Sequence, residues 1–110
     1  DYANARDLLY NGISFAIASD YNPGSCPTGN MNFILSLACN KLKLTTQQAI
    51  NAATINGAYA MGVSDKTGSI TKGKIANLLI TDKLDSIDDL PYYIGDNLIE
   101  KVLIKGEEFN

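Results

Sequence analysis

The chain has 110 residues, 45% of them hydrophobic and 19% charged, a balance that suits one globular unit with a modest core and excludes a disordered or fibrous chain. Nine basic residues against twelve acidic ones leave a formal charge of −3 with no basic cluster, so the electrostatic footprint of a nucleic-acid binder is missing. The apolar runs are of strand length and broken by polar residues, which excludes a membrane partner or a signal-peptide core and makes a cytoplasmic location the expectation.

In chain order, "DYANARDLLYNG" spaces Ala3, Leu8 and Leu9 as a short helix does and stops at Asn11-Gly12. Residues 13–19, "ISFAIAS", form a nearly continuous apolar run that predicts a parallel strand buried on both faces. The run ends abruptly at Asp20 and enters the Pro/Gly-rich loop "YNPGSCPTGN". In "MNFILSLACNKL", Ile34, Leu35, Leu37 and Ala38 make an apolar helix face that packs back on that strand. "LTTQQAINAATINGAYAMGV" carries the clearest local signals: Thr45 and Gln48 as a capping box, Leu44 as a staple and Gly62 as a stop. Ala49, Ala53, Gly57 and Ala60 give it a face of small residues, and Asn56-Gly57 is a point where it divides in two if it is not continuous.

Beyond Val63 the texture changes. Turn residues Gly68 and Gly73 separate short β-prone pieces and precede an expected strand over 76–81. The four-acid stretch "LDSIDDLPYYIGDN" reads as a loop or short helical turn, and "LIEKVLIKGEEF" alternates as a strand with one wet face. These strands point to a small sheet separate from the strand–loop–helix unit.

Two features of composition bear on chemistry. Cys26 and Cys39 lack the spacing of a disulfide scaffold or a zinc ribbon and read as free, structural thiols. Histidine is absent, so any reaction that needs imidazole must draw it from elsewhere. A chain that begins at Asp1 is expected to be processed or trimmed. A single parallel strand–helix unit is incomplete by itself, and a (β/α)₈ barrel takes roughly 250 residues. Together these features suggest the tail of a larger enzyme.

The stretch "ASDYNPGSCPTGNM" resembles the segment after the last barrel strand in the imidazolonepropionase family of the metal-dependent amidohydrolase superfamily. "LTTQQAINAATINGAYAMGVSDKTGSITKGKIANLLITD" is similar to that superfamily's final helices and its return into a small β domain, and "LPYYIGDNLIEKVLIKG" resembles the family's ending. The resemblance implies an α/β fold class: residues 1–63 as the last βα unit of an amidohydrolase barrel with its packed helices, and residues 64–110 as strands of a small β-sandwich domain. It implies hydrolysis of the cyclic amide of 4-imidazolone-5-propanoate to N-formimidoyl-L-glutamate in histidine degradation, with zinc or iron as cofactor. Asp20 matches the family aspartate that ligates the metal and handles the proton of the attacking water, and a position at the carboxyl end of a barrel strand suits that task. Asn22, Gly24 and Ser25 match positions that contact the small-molecule substrate.

The same residues from Asp20 to Ser25 are also the usual turn formers. Cys26 stands where another small hydroxyl residue is common, and a thiol is a weaker hydrogen-bonding group. Asn77 replaces the aspartate of the superfamily's A-D-L pattern, at a position we read as structural. "PGSCPTGN" lacks the Gly-Lys-Ser/Thr ending of a phosphate loop, and "DSIDDL" does not have the spacing of a calcium loop. Because the family's other metal ligands are histidines, the chain alone is expected to be inactive and to need the missing amino-terminal part of the enzyme; a strand edge and apolar face left open make a homo-oligomer the expectation. The alternatives are a segment of another amidohydrolase, such as a deaminase or cyclic-imide hydrolase, and a non-catalytic α+β interaction module.

Overall fold

The computed structural model describes residues 1–93 and 95–109. Its helices are α1 (Ala5–Tyr10), α2 (Met31–Asn40), α3 (Thr46–Ala53), α4 (Ile55–Ala60) and α5 (Asp89–Tyr92), and its strands are β1 (Leu78–Thr81), β2 (Ile99–Ile104) and β3 (Glu107–Phe109). No helix among the described residues is long and apolar enough to cross a membrane.

Local chemistry sets most helix starts. Asn4 and Asn30 accept from the backbone N–H groups of Asp7 and Asn32 and so cap α1 and α2. At α3 the capping box is complete. The Gln48 N–H donates to the Thr45 hydroxyl at 3.1 Å, and the Thr45 N–H donates to the Gln48 side chain at 3.0 Å. Leu44, just before the cap, is buried in one cluster with Ala49, the pairing expected of a hydrophobic staple.

The helical run then breaks, at Thr54 rather than at Asn56-Gly57. Thr54 leaves helical geometry with φ −115° and ψ −88°, while its hydroxyl donates to the Ile50 carbonyl at 2.7 Å. A β-branched hydroxyl residue bonding back one turn competes with the backbone for that carbonyl, and Ile55 adds a second branched side chain. The break also shifts the helical phase. The buried small residues are Ala49, Ala52 and Ala58, whereas Ala60 is exposed, so the expected face does not run straight through.

The core is thin and built of small side chains. Ala5, Leu35, Ala38, Leu44 and Ala49 form its buried centre, and Phe15, Ile17, Leu42 and Ile50 pack against it half-buried. Of the expected α2 face Ile34, Leu35 and Ala38 are buried, whereas Leu37 is half-buried and Ser36 is buried in its stead. Helix α2 packs on both α3 and α5.

Residues 13–19 depart from expectation, since they form no strand. A parallel strand exists only when neighbours take up its N–H and C=O groups, and the described residues supply no second strand beside it. Nor is the run covered on both faces. Phe15, Ile17 and Ser19 are half-buried, while Ser14, Ala16, Ala18 and Asp20 are exposed.

The sheet is antiparallel in the order β1-β2-β3. Leu78 pairs with Leu103 and Leu79 with Val102, and the register shifts between Ile80 and Thr81. The stretch "LIEKVLIKGEEF" is not one strand. It folds back at Lys105-Gly106, whose φ values of 53° and 81° are both positive, as a tight two-residue hairpin of the right twist demands. Strand β1 starts two residues later than expected because the residues before it hold this turn. The Ala76 carbonyl accepts from the Gly106 N–H at 3.0 Å, and the Asn77 side-chain oxygen accepts from the Lys105 N–H at 2.9 Å. Asn77 thus has the structural role its position suggested. The pieces around Gly68 and Gly73 are turns, and the acidic stretch contains the short helix α5.

The accessible surface is 7991 Å². A folded monomer of 11.8 kDa presents roughly 5,900 Å². Large apolar side chains are exposed on helices and sheet alike, among them Tyr10, Tyr59, Leu79 and Phe109.

Gly68, in the turn region that follows α4, packs closely against that helix. Its φ is 99°, and a Cβ there would lie 2.6 Å from the Ala58 Cβ and 3.2 Å from the Ile55 Cα. Gly73 has a similar φ of 95° with nothing within 4 Å. Gly73→Ala should therefore lose only the backbone term, about 1–3 kcal/mol. Gly68→Ala should lose that and about 1–3 kcal/mol more from overpacking. Urea denaturation of the two variants checks the difference.

Candidate active site

Residues 14–20 follow an extended course although they pair with no strand, as the in-and-out alternation of their burial shows. One edge of the segment is held by the α3–α4 junction. The Ile17 N–H donates to the Ala52 carbonyl at 3.1 Å, and the Asn56 side-chain amide donates to the Phe15 carbonyl at 2.9 Å. Ala52 lies in the last turn of α3, where carbonyls have no helical N–H to accept from. The break at Thr54 therefore creates the acceptor that docks the segment.

Docking in this phase directs Phe15 and Ile17 into the helices and puts Asp20 in the same alternation class as the open Ala16 and Ala18. Asp20 has φ 51°, a left-handed conformation that aspartate tolerates better than most residues. Among the described residues its carboxylate accepts no hydrogen bond from backbone or side chain within the chain.

The loop beyond Asp20 is organised by Asn22. Its side-chain oxygen accepts from the backbone N–H groups of Gly24 at 2.9 Å and Ser25 at 2.7 Å, and its amide nitrogen donates to the Asp20 carbonyl at 2.7 Å. An antiparallel bridge between Asn22 and Cys26 closes the turn, with the Asn22 N–H donating to the Cys26 carbonyl at 2.9 Å. A Cβ on Gly24 would sit 3.3 Å from the Asn22 side-chain oxygen, so glycine lets this turn close tightly. The Cys26 thiol donates back to the Ser19 carbonyl at 2.9 Å.

A cleft of about 480 Å³ opens between the end of the segment and α2, where Asp20, Ser25 and Cys26 meet the apolar Ile34, Leu37 and Leu42. Of the four residues singled out from the sequence, Asp20 and Ser25 share this cleft, while Asn22 and Gly24 form the loop beside it. Sequence reasoning missed Asn56, which it treated only as a helix breaker; no local pattern marks an asparagine that reaches a carbonyl 41 positions away. It also assigned Cys26 no structural bond.

The donor set of the chain is small. No group of three His, Cys, Asp or Glu side chains comes together among the described residues. Asp20 offers one carboxylate, enough for one ligand and too little for a site. Cys26 and Cys39 are free thiols, as expected. Burial pushes the Cys39 thiol up, with a hydrogen bond with Thr46 opposing and Asp88 adding to the rise. Because the folded state holds that proton more tightly, the stability linked to it is complete below the unfolded thiol's pKa and is lost as pH rises through the folded value.

The profile of the Amidohydrolase family matches residues 1–109, and the chain belongs to that family. It shares its fold with a guanine deaminase of E. coli, at a TM-score of 0.76 and 20% identity over 97% of this chain and 30% of the other. The chain is similar, much more strongly in sequence, to proteins named imidazolonepropionase. That of Flavobacterium johnsoniae is 58% identical and that of Flavobacterium psychrophilum 54% identical, each over 96% of this chain and 26% of the relative. The chain thus spans about a quarter of the length of these relatives.

Removing the Asn56 amide leaves the Phe15 carbonyl without its partner, a change worth about 1 kcal/mol. Asn56→Ala should lower stability by about that amount and speed amide exchange at Ile17 more than at Leu35. Hydrogen exchange followed by NMR checks both.

Proposed function

We propose that the chain is the carboxyl-terminal part of an imidazolonepropionase, which opens the cyclic amide of 4-imidazolone-5-propanoate to give N-formimidoyl-L-glutamate in histidine degradation. The observation that carries this reading is the 58% identity to a protein of that name across 96% of the chain, the loop of Asp20 included. In this reading residues 1–63 are the last βα unit of a (β/α)₈ barrel with its packed helices, and 64–110 are strands of a small β domain. The open face of Ser14, Ala16 and Ala18 and the surface excess suit a segment that other parts of the enzyme cover. The enzyme acts in the cytoplasm.

Asp20, at the end of the extended segment and with a carboxylate that accepts no hydrogen bond among the described residues, is the group this chain contributes to a metal site. Its remaining ligands lie outside these 110 residues, which contain no histidine. A zinc or iron ion, when bound, supplies a Lewis acid and makes water acidic enough to deprotonate near neutral pH. Asp20 accepts the proton of the attacking water and delivers it to the departing ring nitrogen, which one carboxylate does by acting first as base and then as acid. Ser25 contacts the substrate from the wall of the cleft, while Asn22 and Gly24 shape the loop that presents it.

In the complete enzyme Asp20→Asn keeps the side-chain volume and removes both the negative charge and the basic oxygen. Turnover should fall by at least about 10²–10⁴-fold. Ser25→Ala removes one neutral hydrogen bond, about 0.5–1.5 kcal/mol, and should raise KM a few-fold with little change in kcat. Steady-state kinetics with excess metal separate the two; Asp20→Asn within a few-fold of wild type would sink the assignment.

The 110-residue chain alone should retain no stoichiometric zinc or iron after dialysis, because one carboxylate does not make a site. Elemental analysis that finds about one metal per chain would overturn this.

A further inference from the structure

The direction in which Asp20 points is set by the two peptide planes that flank it, and both planes are held by side chains of the following loop. The plane before Asp20 ends in the Ser19 carbonyl, which lies 2.9 Å from the Cys26 thiol and is the nearer of its two acceptors, the Thr28 carbonyl being at 3.5 Å; the single S–H proton goes to Ser19. The plane after it carries the Asp20 carbonyl, which accepts from the Asn22 amide at 2.7 Å, and the Tyr21 N–H, which donates to the Ser19 hydroxyl at 3.3 Å. Rotation of the first plane about N–Cα is φ, and rotation of the second about Cα–C is ψ. With both planes held, the Cα–Cβ bond has one direction.

The clasp holds Asp20 at φ 51°, in the left-handed region, against rotation of either plane. Asn22 alone does not suffice, since it reaches only the second plane. The thiol of Cys26, seven residues from Ser19, is what ties down the first. It is half-buried, and its side chain lines the same cleft as Asp20.

The geometry points to Cys26 as a positioning residue that acts through Asp20, with its S–H bond to the Ser19 carbonyl setting the direction from which the Asp20 side chain reaches into the site; this rests on the role of Asp20 proposed above. It is neither a nucleophile nor a ligand. What it contributes is a donor at a fixed place, so a hydroxyl there serves and a methyl group does not. A carboxylate displaced by about 1 Å costs up to about 10²-fold in rate, which sets the scale of the effect.

The test uses the complete enzyme with the variants Cys26→Ala, Cys26→Ser, Asp20→Asn and the double variant Cys26→Ala/Asp20→Asn. Thermal unfolding serves as the check on folding, and zinc affinity by chelator competition serves as a readout besides turnover. Cys26→Ala is expected to lower kcat about tenfold and zinc affinity several-fold, with KM within about twofold. Cys26→Ser is expected to recover most of both. In the Asp20→Asn background, Cys26→Ala is expected to leave zinc affinity unchanged, because the group it positions is already altered.

Wild-type kcat and zinc affinity in Cys26→Ala, alongside a strong loss in Asp20→Asn, would overturn the inference and leave the role of Asp20 intact. An equal further loss of zinc affinity in the double variant would also overturn it, by showing a general structural effect. Near-wild-type turnover in Asp20→Asn would overturn the role of Asp20 and this inference with it. Should Cys26→Ala fail to fold, Cys26→Thr, which keeps a donor and adds a methyl group, replaces it as the graded variant. Retention of kcat and zinc affinity by Cys26→Thr together with Cys26→Ser supports the clasp, and loss in both overturns it.

Discussion

The placement of the site depends on the interruption of a helix. If α3 and α4 were one continuous helix, the Ala52 carbonyl would accept from the next turn and the extended segment would have nothing to bind at that edge. Because Thr54 turns its hydroxyl back to Ile50 and leaves helical geometry, the Ala52 carbonyl is available to the Ile17 N–H and Asn56 comes within reach of the Phe15 carbonyl. Two bonds on one edge, with Phe15 and Ile17 inserted among the helices, fix both the depth and the phase of the segment. A shift of one residue would turn Phe15 and Ile17 outward and bury the class to which Asp20 belongs.

The same arrangement accounts for the open side of the molecule. The helices cover one face of residues 13–19 and one of its edges, and the described residues contain nothing for the other face or the other edge. Small side chains dominate that open face, at Ser14, Ala16 and Ala18. The surface is larger than a monomer of this mass normally presents because the helices are covered on one side only and no residue of the sheet is fully buried. The sheet is barer still, with Leu79 and Ile80 exposed on opposite faces and Ile104 and Phe109 exposed around a well-formed hairpin.

Family membership and local chemistry meet in the loop 20–26. Asparagine and glycine there are the residues a tight turn needs, and they are also the residues that the resemblance links to substrate. The hydrogen bonds show how one constellation serves both: Asn22 holds Gly24 and Ser25 by their N–H groups and Asp20 by its carbonyl, so the turn and the direction of the carboxylate are a single structure. Cys26 adds a donor to the same turn through its bond to the Ser19 carbonyl.

Features governed by residues within about four positions of one another were legible in the sequence. The capping box of Thr45 and Gln48, the apolar face of α2, the stop at Gly62 and the turn at Asp20 to Ser25 all follow from short-range hydrogen bonding and helical period, which the order of residues encodes directly. So did the absence of histidine and the shortage of metal ligands, which are matters of composition. What tertiary structure alone decided has the opposite character. Whether residues 13–19 pair as a strand depends on neighbours that no local pattern supplies. The position of the break between α3 and α4 turned on a competition for one carbonyl, and the hairpin at Lys105-Gly106 on two consecutive positive φ values that an alternating strand pattern conceals. Asn56 bonding Phe15 and Gly68 packing on Ala58 join residues far apart in the chain or through a clash that exists only in three dimensions. Burial, the remaining ingredient, is a property of which surfaces meet, and the sequence specifies the apolar residues without specifying what covers them.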